Sequence, residues 1–111
     1  MILKSFTQEA AVPVSHNHRI LKHVLLNRGQ CANITQFARA IFPAGQKVES
    51  HSHPDMAEIF MGRSGTGKII INGQSYNMIK DTCVIVQAGE LHELVNIGTD
   101  ELIVDYFGLQ L

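Results

Sequence analysis

The sequence predicts an all-β fold, either a closed barrel or a double-sheet jelly roll. Three observations carry that expectation. β-branched and aromatic residues gather in short runs, separated by turn residues at the even spacing of antiparallel all-β domains. No window between capping signals keeps apolar residues at the three-and-four spacing of an amphipathic helix. Asn72-Gly73 stands between two β-rich runs, and this dipeptide supplies both positive-φ residues of a type I′ hairpin turn.

Taken in order, strands are expected at 21–26, 33–42, 47–51, 58–61, 67–71, 74–79, 82–86, 92–96 and 102–107. Residues 33–42 alternate cleanly, with Gln36, Ala38 and Ala40 on one face and Phe37, Arg39 and Ile41 on the other. Pro43-Ala44-Gly45 closes that strand as a turn, and Pro54-Asp55 marks the next reversal. Segment 62–67 reads as a glycine-spaced loop, and Asn72-Gly73 joins 67–71 to 74–79. Residues 96–100, Asn-Ile-Gly-Thr-Asp, form the last connection.

A chain of 111 residues has room for one hydrophobic core, so residues 1–111 form a single domain. Hydrophobic residues at 45% and charged residues at 17% are ordinary for a globular protein and argue against disorder. Nine basic and ten acidic side chains leave a net charge of -1 without any block of like charge. Nucleic acid and anionic membranes are therefore not implied as partners. Apolar runs such as Ile69 to Ile71 and Val84 to Val86 are far too short to cross a bilayer. The first ten residues include an acidic side chain and no apolar stretch, unlike a secretory signal, so a cytoplasmic location is expected. Cys31 and Cys83 lie far apart and are expected as reduced thiols, with Cys83 a small hydrophobe in the core.

Six histidines in so short a chain direct attention to one chemistry. His51 and His53 end a predicted strand, where residues i and i+2 share a face about 6.6 Å apart. Glu58 follows the Pro54-Asp55 turn at the start of the next strand, and His92 begins a later one. A lone His-x-His pair is commonly incidental, but a carboxylate and a third imidazole make a sound shell for a divalent transition metal.

The spacing around these residues is also that of a known motif. Gly45, five residues, His51, one residue, His53, four residues, Glu58, six residues, Gly65 matches the first cupin motif at each defined position. The second motif keeps Gly89, His92 and Asn96 at the right spacing, but has Asp81 for glycine and Gln87 for proline. The chain thus resembles a small single-domain cupin, with the motifs separated by the fifteen residues 66–80. The resemblance implies a double-stranded β-helix, or jelly-roll barrel. It also implies one divalent metal ion (Fe, Mn, Ni, Co or Zn) held by His51, His53, Glu58 and His92. Cupins of this size commonly pair as homodimers through a sheet face or an exchanged N-terminal strand, and here residues 1–20, with 1–11 free to move, are the segment expected to do so.

Four such ligands leave room on the metal for a chelating substrate, and the family includes oxygenases, isomerases, lyases and decarboxylases. The resemblance therefore implies a metal-dependent, dioxygenase-like enzyme acting on a small chelating organic molecule. The alternative is a cupin that binds a metal and a small ligand without turnover. A metal-free epimerase-like cupin fits poorly with only four arginines and an intact ligand set. Among other inward candidates, Phe60 shares parity with Glu58 and, with Met56 and Met61, is expected to form an apolar wall. Gln36 facing inward needs a polar partner. Tyr76 is a candidate proton donor, and Gln87 a carboxamide at the mouth. His16, His18 and His23 lack a companion carboxylate at ligand spacing and read as an exposed, solvated segment.

Overall fold

A computed structural model describes residues Met1–Leu111. Ten strands follow a single 3-10 turn at Phe6–Gln8. They are β1 (Ala11–Val14), β2 (Asn17–Leu26), β3 (Ile34–Phe42), β4 (Lys47–His51), β5 (Met56–Ser64), β6 (Gly67–Ile71), β7 (Gln74–Met78), β8 (Cys83–Val86), β9 (His92–Asn96) and β10 (Leu102–Gln110). A six-stranded sheet runs β1-β2-β3-β10-β5-β8, and a four-stranded sheet runs β4-β9-β6-β7. Every pairing is antiparallel. This is the expected all-β jelly roll.

Alternation sets the core. Leu102 and Val104 of β10 face inward and are buried, while Ile103 and Asp105 at the alternate positions face out. They meet Ile20, Ala40 and Phe42 from the large sheet and Ile69, Met78 and Leu94 from the small one. Asn96 is buried among them with each amide group satisfied. Its Nδ2 donates to the Phe42 and Asp100 carbonyls at 2.9 and 2.8 Å, and its Oδ1 accepts from the Gly98 N–H at 2.9 Å. The asparagine of the second motif thus joins the end of β3 to the β9–β10 connection.

All nine expected strands form; 47–51, 67–71 and 92–96 keep the expected ends, and the other six shift by one or more residues. β2 starts at Asn17, and β5 runs to Ser64, so the expected 62–67 loop shrinks to Gly65-Thr66. Gly65 turns there at φ +87°, and a Cβ on it would collide with the Glu101 carbonyl. Asn72 and Gly73 have φ of 49° and 84°, as the hairpin requires. Asp81, where the motif has glycine, also has positive φ, at 68°. Aspartate enters this region more readily than most side chains, so the turn geometry survives the replacement.

β1 is the strand absent from the sequence reading. Pro13 argues against a strand, yet β1 is the edge of the large sheet, where proline costs no ladder bond. Residues 11–20 therefore lie largely within this chain's own sheet, as β1 and the start of β2. Ahead of them, Phe6 packs its ring 4.1 Å from the Arg39 guanidinium, which also grips Asp105 through two bonds of 2.6 and 3.0 Å on the outer face of the sheet.

Candidate metal centre

His51 closes β4 opposite His92, the first residue of β9, and the two rings stand 4.3 Å apart, centroid to centroid. Glu58 enters from β5 of the other sheet. His53 lies past the end of β4, so the shared-face argument from strand parity does not place it. Its backbone is anchored instead by the Gly89 N–H, which donates to the His53 carbonyl at 2.8 Å and fastens it to the turn preceding His92. The four side chains nevertheless come together. One potential donor atom from each of His51, His53, Glu58 and His92 lies within 4.8 Å of the others, so the four are positioned to bind a metal. Glu58 and His92 are buried, and His51 and His53 half-buried.

The hydrogen bonds behind the rings show how well this set fits a cation. His51 Nδ1 is 2.8 Å from the Glu49 carbonyl, and His92 Nδ1 is 3.0 Å from that of Glu90. A carbonyl can only accept, so both Nδ1 atoms carry protons and direct Nε2 inward. His53 Nε2 and His92 Nε2 both lie 3.1 Å from Glu58 Oε1. A neutral His92 ring there sets lone pair against lone pair, which a proton or a metal ion between them relieves. Burial opposes charge on both His51 and His92. At His51 burial prevails, reinforced by the neighbouring imidazoles, and its pKa falls below the ordinary histidine value. At His92 burial is outweighed by the bonds to Glu58 and Glu90, and the pKa rises. The donor set suits a divalent transition metal.

A cavity of about 240 Å³ opens behind the four residues. Phe60, Met56, Val48, Leu94 and Val104 give it apolar walls, and Gln36 faces into it. Its amide oxygen finds a partner in Lys22, whose Nζ donates to Oε1 at 2.7 Å. Neither Lys22 nor Tyr106, which also lines the cavity, was singled out from the sequence. Parity with buried Ile20 marks Lys22 as inward, and parity with Leu102 and Val104 marks Tyr106. Burial raises the Tyr106 pKa to about 12, helped by the charge of Glu58 and opposed by a polar contact with Gln36. Burial lowers that of Lys22.

Other expectations are corrected. Tyr76 is 45% exposed on β7, the edge of the small sheet, and borders a separate shallow groove with Cys83. Gln87 is exposed beyond the end of β8, outside the cavity lining; its N–H donates to Glu90 Oε1 at 2.7 Å and stiffens the turn before His92. Met61 faces away from Phe60, opposite Cys83 in the neighbouring strand. Cys83 is exposed, because Val84 and Val86 take the inward positions of β8. His16 and His18 are exposed as expected, but His16 also lines the cavity, its ring centroid 5.5 Å from that of His51. His23 is half-buried and bonded through Nδ1 to the Glu9 carbonyl at 2.8 Å.

Comparison with known proteins agrees with this architecture. The family model for the cupin domain matches residues 38–106. No curated protein matches the chain. Among solved structures, a protein from Thermotoga maritima described as a predicted oxalate decarboxylase superposes with a TM-score of 0.91 at 21% identity, covering 99% of this chain and 100% of that one. The Cnp3 cupin domain of Schizosaccharomyces pombe gives 0.83 at 16% identity over 99% and 74% of the two chains. A sugar phosphate isomerase from the cupin superfamily of Silicibacter pomeroyi gives 0.82 at 13% over 98% and 76%. At these identities the likeness is one of fold.

Proposed function

The chain belongs to the cupin family, and from that premise we propose that it is a metal-dependent enzyme of the oxygenase-like kind, acting on a small organic molecule that chelates the metal. The observation that carries this reading is the convergence of four donor atoms within 4.8 Å at the end of an apolar cavity. His51, His53, Glu58 and His92 would hold the ion. A divalent metal there supplies Lewis acidity toward an anionic oxygen and, where the ion is redox-active, one-electron chemistry.

The residues of the chain do the rest. The carbonyls of Glu49 and Glu90 fix the orientation of two imidazoles, so little reorganisation accompanies binding. Phe60, Met56 and Val104 exclude water and strengthen the attraction between the centre and an anion. Tyr106 keeps its phenolic proton at neutral pH and lines the cavity, where that proton is available to a ligand. A second reading, a cupin that binds metal and ligand without turnover, is favoured by one observation: the cavity wall is mostly apolar and offers few groups that exchange protons near neutrality.

Further properties belong to the same proposal. Two free, exposed thiols suit a reducing, cytoplasmic setting. A homodimer is supported by the outer face of the large sheet, where Phe37 stacks on Phe107 at 5.8 Å and Ile85 is 55% exposed. No helix is long and apolar enough to cross a membrane. The test begins with elemental analysis of the purified protein. Titration of metal-loaded and metal-stripped protein with small chelating acids and enediols follows, with oxygen consumption recorded. Equal binding to both forms overturns the metal-anchored reading. Metal-dependent binding without turnover favours the second reading, and turnover that stops under nitrogen favours an oxygenase.

A further inference from the structure

We propose that the cavity is built for a small dianion with its two carboxylates at opposite ends, one at the His51–His53–Glu58–His92 centre and the other held by Lys22, Gln36 and Tyr106. The proposal rests on the reading of that centre as a metal site. It assigns the substrate class and names the residues that select it.

The sheet itself separates the two ends. Lys22, Gln36, Tyr106 and Glu58 stand on β2, β3, β10 and β5, four neighbours in the large sheet, and all face the same cavity. Gln36 is in register with Gly108, and Gly108 with Glu58. Between the amide and the carboxylate the row holds Gly108, where the Thr35 hydroxyl and the Met56 sulfur take up the room of a side chain. Two strand spacings put the Gln36 and Glu58 backbones about 10 Å apart. Two same-face rows along β3, Lys22 is paired with Ala40, and its stem reaches back past Ala38 to meet the Gln36 amide. A cavity of about 240 Å³ falls below the roughly 300–1,000 Å³ of pockets for drug-sized ligands. It suits a short, extended molecule.

Charge favours two negative groups rather than one. Glu58 and a divalent ion sum to +1, and the Lys22 ammonium brings the enclosed total to +2. No carboxylate pairs with Lys22, and its bond goes to the neutral Gln36 amide. Half-buried and without a counter-ion, this ammonium is destabilised by its surroundings. An incoming carboxylate supplies the missing charge, with charge-assisted bonds from Lys22 and a donor bond from the Tyr106 hydroxyl. Oxalate, whose two carboxylates are adjacent, is short against a strand separation of about 10 Å. A dicarboxylate with several carbons between its ends comes closer to spanning it.

The experiment is calorimetric titration of zinc-loaded protein with glutarate and with valerate, which carries a methyl group in place of one carboxylate. Glutarate is expected to bind about tenfold tighter or more. Lys22→Met should bring glutarate down to the affinity of valerate, and Lys22→Arg should keep the preference. Equal affinities in the unaltered protein, or a preference that survives Lys22→Met, overturns the proposal. Should Lys22→Met fail to fold, Tyr106→Phe decides: several-fold weaker glutarate supports the proposal, and unchanged glutarate overturns it. Valerate that binds zinc-loaded and stripped protein equally would instead refute the metal-anchored reading. Metal-dependent valerate binding with no advantage for glutarate refutes the dianion alone.

Discussion

Two groups of three histidines share this chain, and they come to different ends. His51, His53 and His92 converge on the carboxylate of Glu58. His16, His18 and His23 lie along the first hairpin with no carboxylate between them, and His23 spends its Nδ1 on the Glu9 carbonyl. Density of imidazole is thus not what assembles a donor set. The first group has a buried negative charge to converge on, and carbonyls that fix which nitrogen faces it. The second has one ring at the cavity mouth, one in solvent and one fastening the N-terminal segment.

Substitutions should break the first group far more severely than the second. His92→Ala is expected to lower metal affinity by about 100-fold or more, beyond the loss seen when a mere supporting residue of a metal site is removed; competition with a chromogenic chelator measures it, and full occupancy after dialysis would overturn the assignment. Metal removal comes next. At free metal 100 times the dissociation constant, binding to the folded state alone adds about 2.7 kcal/mol. Chelation should therefore lower the melting temperature of the unaltered protein by several degrees and leave that of His92→Ala almost unmoved.

The second group yields smaller effects. His23→Ala removes one hydrogen bond, worth about 1 kcal/mol, and should free residues 1–10 for faster amide exchange and earlier proteolysis. His16→Ala sharpens the comparison most. Its ring stands beside His51, yet metal stoichiometry should stay at one per chain and affinity should change by less than about threefold, under 1 kcal/mol. A larger loss would move His16 into the first group.

The centre was legible because each donor sits at a fixed interval from a glycine or a turn, and local spacing is what a sequence displays. Asn72-Gly73 and the alternation in 33–42 were legible for the same reason. Lys22 was not. Its strand reads as beginning at Leu21, and only the inclusion of buried Ile20 reveals that Lys22 faces inward. β1 was hidden by Pro13, whose tolerance depends on an edge position that only the assembled sheet supplies. Tyr76 and Cys83 were misplaced because both lie on edge strands, where most side chains face solvent whatever the residue type. Tyr106 required knowing that β10 runs between β3 and β5, a pairing set by long-range topology.

That placement of β10 has a consequence for the order in which the molecule is made. His51, His53 and Glu58 emerge from the ribosome almost together, and His92 follows before β10. Lys22 and Gln36 are synthesised earlier still, but their sheet has no partner for β3 on its far side until β10 arrives and inserts between β3 and β5. Glu58 stands on β5, which likewise lacks its β10 neighbour until then, so the donor set and the opposite wall of the cavity close in the same step. Loss of β10 is therefore expected to cost the ion and the ligand together.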